Sequence, residues 1–269
     1  MTPLITLHTH SSYCGHASAT LDQMVHQAHA QGVAYLGVSE HYPLTEKFNL
    51  KGKISMPADE VDSYLSHIQR LRVQYPQMSI TAGCELDWLG ASEDRCFTPG
   101  QFDTFDMVLG SVHFLGTWLV NGSFGLDGWK DADVDQVWRD YVDEWCAMAS
   151  APSPITCLAH PDVVKKYGFM PSFDLGPLYD LMVEATRASA RMIEVNTAGL
   201  RHPCGQLYPA PGLLARFAQA QVACTVGTDA HGTADVASGI RQAYQAMYEA
   251  GYRQVSVVLP GGEVREFDL

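Results

Sequence analysis

The strongest constraint in this sequence is where its acidic and imidazole side chains fall along the chain. Runs of β-type residues recur at 4–7 (LITL), 34–38 (AYLGV), 79–83 (SITAG), 107–110 (MVLG), 155–158 (ITCL), 192–195 (MIEV) and 223–226 (ACTV). Each of these seven delivers a His, Asp or Glu at its carboxyl end. In order they are His8 and His10, Glu40 and His41, Glu85, His113, His160 and Asp162, Glu194, then Asp229 and His231. The runs are almost continuously apolar, as expected of strands buried on both faces. Amphipathic helical patterns lie between them, at 21–30, 58–73, 134–149, 178–189, 213–219 and 240–250. The first of these opens on the capping box Thr20–Gln23. Such alternation predicts a parallel sheet wrapped in helices. A further run at 255–259 (VSVVL) brings the strand count to eight, which in 269 residues suits a (β/α) barrel. No Gly-rich phosphate turn follows the first strand to favour a doubly wound nucleotide fold. The carboxyl ends of barrel strands are where βα-loops assemble active sites.

Composition narrows the classes. Hydrophobic residues make up 46% of the chain, enough for a sizeable core and too many for disorder. With 30 acidic against 17 basic residues the formal charge is −13, which argues against a nucleic-acid partner. Seven cysteines without a CxxC pair do not form a disulfide framework; Cys84, Cys157 and Cys224 sit in apolar runs and read as core residues. No stretch is long and apolar enough for a membrane span, and the N-terminus lacks the pattern of a signal peptide, so a cytoplasmic location is expected. Without repeats or Ser/Pro-rich linkers, residues 1–269 read as one domain, with long loops at 42–57, 86–104, 115–131 and 199–212. Monomer and two-fold dimer both stay open.

Nine residues converge on one rim of such a barrel: His8, His10, His16, His41, Glu85, His113, His160, Asp229 and His231. His8/His10 and Asp229/His231 are spaced two apart, so each pair projects to one side of an extended chain. Packed without cations, so many imidazoles and carboxylates would leave polar groups unpaired at about 1–3 kcal/mol each. A polynuclear metal site resolves this, and the ligand types suit Zn, Mn or Fe. His26, His29 and His67 read as solvent-facing helix residues, His202 lies in a loop, and Cys14 reads as structural.

The motifs HTHSSYCGHA, SEH, GCELDW, GSVHF, LAHPD and GTDAH, in this order, closely resemble the PHP (polymerase and histidinol phosphatase) superfamily. HPDVVKKYG and EVNTAGLR followed by LYP are similar to its histidinol-phosphate phosphatase branch. The resemblance, from His8 to His231, implies a distorted TIM-like (β/α)7 barrel, with the run at 255–259 outside it. It also implies three divalent metal ions at the C-terminal ends of the strands. The first would be held by His8, His10, Glu85 and Asp229, the second by Glu85, His113 and His160, and the third by His16, His41 and His231.

A centre in which three divalent cations outweigh two carboxylates wants a phosphate dianion. The expected chemistry is hydrolysis of a small phosphate monoester, L-histidinol phosphate, by in-line attack of a hydroxide held between two metals. Glu85, Asp229 and His231 are the catalytic candidates; protonation of the leaving group falls to metal-bound water, Asp229 or His231. No aspartyl-nucleophile or Cys-x5-Arg motif points to the other common phosphatase chemistries. Arg201 is the expected phosphate clamp, with Lys165 and Lys166 read as solvated surface charge. Glu194 is expected to read the substrate ammonium, with Asp87 and Asp162 behind it. His202 is a further substrate-binding candidate, and the loop aromatics Tyr42, Trp88, Phe114, Trp118 and Tyr208 are candidates to wall the imidazole. The rival readings are a nucleotide phosphatase or exonuclease of the same superfamily and a metal-dependent amidohydrolase. The first expects a basic track or a fused polymerase; the second expects a bridging Lys where this chain has His113.

Overall fold

The computed structural model describes residues 2–90 and 100–269; the middle of the loop expected at 86–104 lies outside them. The architecture is a distorted TIM-like (β/α)7 barrel. Its seven parallel strands are β1 (Leu4–Thr6), β2 (Val33–His41), β3 (Ser79–Asp87), β4 (Met107–Ser111), β7 (Cys157–Leu158), β8 (Met192–Asn196) and β9 (Cys224–Gly227), neighbours in that order. Closure runs between the first and last strands. Leu7 N donates to Val226 O at 2.8 Å, Asp229 N to His8 O at 2.8 Å, and His10 N to Ala230 O at 2.9 Å. The closing seam is therefore built from the residues that carry the first and last histidine motifs.

Strands β2 and β3 are longer than their apolar runs. Their pairing extends from Tyr35↔Ser79 to His41↔Glu85, so two of the candidate ligands stand side by side in register. Gly37 permits the close approach of β1, because a Cβ there would lie 2.4 Å from Leu7 O. The expected loop at 115–131 contains a short hairpin, β5 (Phe114–Leu115) and β6 (Trp118–Leu119), and then a 3-10 segment, Ser123–Lys130.

Helices α1 (Leu21–Ala30), α2 (Val61–Gln74), α3 (Val134–Ser150), α4 (Gly176–Ser189), α5 (Pro211–Gln219) and α6 (Ile240–Ala250) surround the barrel. The capping box holds: Thr20 Oγ1 accepts from Gln23 N, and Gln23 Oε1 accepts from Thr20 N. Helix α3 is the most heavily anchored, with Trp138, Tyr141, Val142, Trp145 and Met148 fully buried. Each such side chain contributes roughly 1.5–3 kcal/mol of burial. His26 and His29 are exposed as expected, whereas His67 is only partly so. It lies 3.0 Å from Asp22 and 3.2 Å from the Tyr13 hydroxyl, because α2 packs its flank toward α1.

The run at 255–259 is not an eighth barrel strand. It forms β10 (Gln254–Val258), antiparallel to β11 (Val264–Asp268). This hairpin lies at the amino ends of the barrel strands. Thr81 Oγ1 donates to Val258 O, Gly261 N donates to Asp106 Oδ1, and Phe267 packs on Tyr35. Val255, Val257 and Val258 are buried, so the hairpin covers the barrel floor and leaves the opposite mouth to the functional residues. Among the described residues no helix is long and apolar enough to cross a membrane.

Candidate metal centre

The chain leaving β1 presents His8 and His10 to one point, their Nε2 atoms 3.0 Å apart. Asp229 faces them across the closing seam, its Oδ1 3.2 Å from His10 Nε2 and 3.7 Å from His8 Nε2. Glu85, from β3, lies between two groups of rings. Its Oε2 is 3.4 Å from the Nε2 atoms of His8 and His10 and 3.0 Å from His41 Nδ1. Its Oε1 is 2.8 Å from His160 Nε2 and 3.4 Å from His113 Nε2, and it accepts from Ser111 Oγ. His113 and His160 approach to 3.2 Å between Nε2 atoms. At the outer rim His231 stacks on His10 with centroids 4.3 Å apart, while His16 lies 4.7 Å from His231 and 5.3 Å from His41.

These separations are those of ligands around cations. Donors bonded to a tetrahedral ion at about 2.0–2.1 Å stand roughly 3.3 Å from one another. Three groupings emerge: His8, His10 and Asp229; His8, Glu85 and His160; and His10, His41 and His231. These hold seven of the nine expected residues, and His113 joins them through its contacts with His160 and Glu85. The third grouping draws in His10 beside the rim histidines, and a fourth unites His16 and His231 with Cys14. The backbone is bent to suit: His160 and Asp229 have φ of 28° and 49°, a left-handed region that costs a residue with a side chain about 1–3 kcal/mol.

Electrostatics say the same. Glu85 Oε2 is buried with no hydrogen-bond partner. Burial pushes the Glu85 carboxyl up, but the charges of His41, His8 and His113 outweigh it and hold the group well below its ordinary range. Asp229 is likewise pushed up by burial and pulled well below its usual value by His8, His10 and His231. Both carboxylates are ready as ligands. Burial lowers His10, as do His231 and His41, and it takes His16 to about 3, so these rings are neutral donors. Burial opposes charge on His8 and His41 too, yet Glu194 and Glu85 raise the first, and Glu85 and Asp87 raise the second to about 9. Protons on these two rings do in the bare site what cations do in the loaded one, and metal binding releases them. The residues fit divalent metals with imidazole and carboxylate preference.

Behind the ligands stand further carboxylates. Glu194, fully buried, accepts from His8 Nδ1 at 2.9 Å, from His160 N at 2.9 Å and from Asn196 Nδ2 at 3.0 Å. Asp87 accepts from His113 Nδ1 at 2.7 Å. A carboxylate on the far nitrogen fixes ring tautomer and orientation and strengthens the ligand. Glu194, expected to read the substrate ammonium, is instead engaged with His8, His160 and Asn196 and is not among the residues lining the cavity. Its side chain points into the barrel, where Gly227 leaves it room. Its alternatives are engaged as well, Asp87 with His113 and the buried Asp162 with Lys165 at 2.8 Å. Glu194→Gln is expected to weaken metal binding about 10–100-fold, read by competition with a chromophoric chelator. Retention of wild-type affinity would show that His8 needs no carboxylate support.

A cavity of about 450 Å³ opens over this centre. Arg201 lines it, its Nη2 donating to Thr228 O at 2.8 Å, its Nε 3.4 Å from Asp235, and its Nη1 buried without a partner. A guanidinium on the cavity wall, anchored through Thr228 O, has the chemistry to take an oxyanion. Lys166 lines the cavity too, whereas Lys165 is buried against Asp162 and Leu207 O. Neither lysine is solvated surface charge, because the turn after His160 folds both inward. His202 is on the wall, lowered to about 4 chiefly by burial, so it is neutral. Tyr208 does not reach the cavity; its ring is buried beside His160 and its hydroxyl lies 3.8 Å from Cys204 Sγ.

The other expected aromatics pack elsewhere. Trp88 donates to Glu144, Trp118 to Gly125 O, Phe114 packs on Phe48, and Tyr42 packs on Phe102. The rings on the cavity wall are Phe124 and Tyr167, with Ile54 and Leu119. Sequence reasoning missed these, together with Lys53 and Asp235. The one available signal was Asp235, four residues beyond His231 in the last motif. Cys14, buried, donates to Ser11 O at 3.1 Å, and burial pushes its thiol up to about 12.

A family profile described as the PHP domain matches residues 6–198. A Deinococcus radiodurans protein named "Probable histidinol-phosphatase" is 27% identical over 259 residues, covering 95% of this chain and 97% of that one. A Schizosaccharomyces pombe protein of the same name is 22% identical, covering 96% and 90%. Among solved structures, the histidinol phosphate phosphatase HISK of Lactococcus lactis, complexed with zinc, L-histidinol and phosphate, superposes with a TM-score of 0.75. It is 18% identical, with 98% and 99% of the two chains covered.

Proposed function

The chain belongs to the PHP domain family, and from that premise we propose that it hydrolyses L-histidinol phosphate to L-histidinol and phosphate, a step of histidine biosynthesis. One barrel domain over residues 1–269 carries the activity in this reading, in the cytoplasm and without a nucleic-acid partner. The observation that carries it is a buried centre of imidazoles and carboxylates opening onto a cavity lined by Arg201 and Lys166. Full-length similarity to two proteins named for this activity gives the substrate.

His8, His10, Glu85 and Asp229 would hold one metal, Glu85, His113 and His160 a second, and His16, His41 and His231 a third. Zinc, manganese and iron all suit these donors. When bound, the ions supply Lewis acidity toward the phosphate oxygens and activate the attacking water. The protein's own groups do the rest. The Arg201 guanidinium and the Lys166 ammonium, both on the cavity wall, take phosphate oxygens. Glu85 and His231 act as ligands that would fix the positions of the ions. Asp229, beside His10 and His231, would relay the proton of the attacking water to the leaving alkoxide. His202, neutral beside Lys166, faces the remainder of the substrate.

Phosphate release by protein reconstituted with Zn or Mn, compared between L-histidinol phosphate, p-nitrophenyl phosphate and 5′-AMP, tests this reading. The expected kcat/KM for L-histidinol phosphate exceeds the others by about a hundredfold, some 2.7 kcal/mol of transition-state discrimination. Equal, slow hydrolysis of all three would leave a phosphatase and remove the assigned substrate. A preference for 5′-AMP would favour the nucleotide phosphatase reading.

A further inference from the structure

Resting on the proposed activity, we infer that Asp235 is the specificity-determining residue that binds the substrate's ammonium group. An amino-alcohol phosphate brings a cation into a cavity already lined by Lys53, Lys166 and Arg201 and set above a metal centre. Such a cation needs a counter-charge, because an unpaired ammonium loses hydration and meets like charges. Glu194 cannot serve: it is fully buried and saturated by His8, His160 and Asn196.

Three carboxylates line the cavity among the described residues. Both oxygens of Glu85 face histidine rings or Ser111, and Asp229 faces His8 and His10. Asp235 alone faces none of them. Its side chain is 39% exposed and its Oδ2 stands 3.4 Å from Arg201 Nε. That contact also sets the geometry. Arg201 stands on the cavity wall as the partner for the phosphate, while Asp235 stands at its Nε edge. An anion site at Arg201 and a cation site at Asp235 therefore sit side by side on one cavity wall. The separation of roles is chemical: Arg201 recognises any phosphate monoester, whereas Asp235 recognises those that carry an amine near the ester.

The test compares L-histidinol phosphate with its amine-free counterpart, 3-(imidazol-4-yl)propyl phosphate, on the metal-loaded enzyme and on Asp235→Asn. Wild type is expected to prefer the amine-bearing ester, and in Asp235→Asn the ratio of the two kcat/KM values is expected to fall about tenfold or more, the range of a hydrogen bond to a charged group. Asp235→Glu should restore part of that ratio. An equal loss on both esters would overturn the inference and make Asp235 only a prop for Arg201. Wild type that hydrolyses both esters equally well would also overturn it, while leaving the phosphatase in place. Wild type that hydrolyses neither, yet releases phosphate from 5′-AMP, would instead sink the assigned substrate and this inference with it.

Discussion

Replacing Glu85 with Gln is expected to abolish metal-dependent phosphate release, with kcat/KM falling at least about a thousandfold. Glu85 is where the two deeper ligand groups meet, its two oxygens 3.4 Å from His8 Nε2 and 2.8 Å from His160 Nε2. An amide keeps the shape but has one oxygen and no charge. Its NH2 would face Oε1's or Oε2's histidine partners as a donor, in a place where a cation belongs. Losing a shared ligand removes several kcal/mol of charge stabilisation in the transition state, and about 4 kcal/mol is a thousandfold in rate. Metal content by elemental analysis should fall in parallel. A Glu85→Gln protein with wild-type metal content and wild-type turnover would refute the shared-ligand role.

Gly227→Ala is the expected large effect on stability. Gly227 ends β9, in register with Asn196 of β8, and a Cβ there would lie 1.6 Å from Glu194 Oε1 and 2.5 Å from His8 Cβ. Neither neighbour can retreat. Glu194 is held by three donors, and His8 belongs to the closing seam of the barrel. Overpacking of this kind costs about 3 kcal/mol, or roughly 6–12 °C in Tm for a chain of this size. Because the clash pushes Glu194 off His8, metal should bind less tightly as well, so the Tm gain on adding Zn or Mn should shrink relative to wild type. Calorimetry with and without metal reads both effects. An unchanged Tm would mean that β8 and β9 can separate at this point at little cost.

The ligand set was legible in the one-dimensional pattern because barrel topology makes chain position stand for spatial position. Any residue just past a buried parallel strand arrives at the same mouth, so His8, His113, His160 and Asp229 need only their place in the chain to be brought together, and His41 and Glu85 join them at the carboxyl-terminal parts of β2 and β3. The same rule failed for Glu194. A residue inside a strand faces either into or out of the barrel, and it was the absence of a side chain at Gly227, on the neighbouring strand, that let its carboxylate turn to His8. The eighth apolar run shows another limit. Val255, Val257 and Val258 are buried as a strand's residues should be, but their partner is β11, an antiparallel strand on the barrel floor. Hydrophobicity recorded that they are covered and said nothing of what covers them.

Cavity walls were the least legible part. Trp88, Trp118, Phe114 and Tyr42 have the chemistry of a substrate pocket, yet each is taken up by its own neighbours. Phe124, Tyr167, Lys53 and Asp235 face the cavity because loops from separate parts of the chain fold over the same mouth. By itself, then, the sequence determined the barrel, the end of it that carries chemistry, and the nine residues that meet there. Those follow from local periodicity and from the repeat of strand and helix. Tertiary structure alone decided which carboxylates touch metal ligands from behind and which face substrate, since that depends on side-chain direction and on the space left by residues distant in the chain.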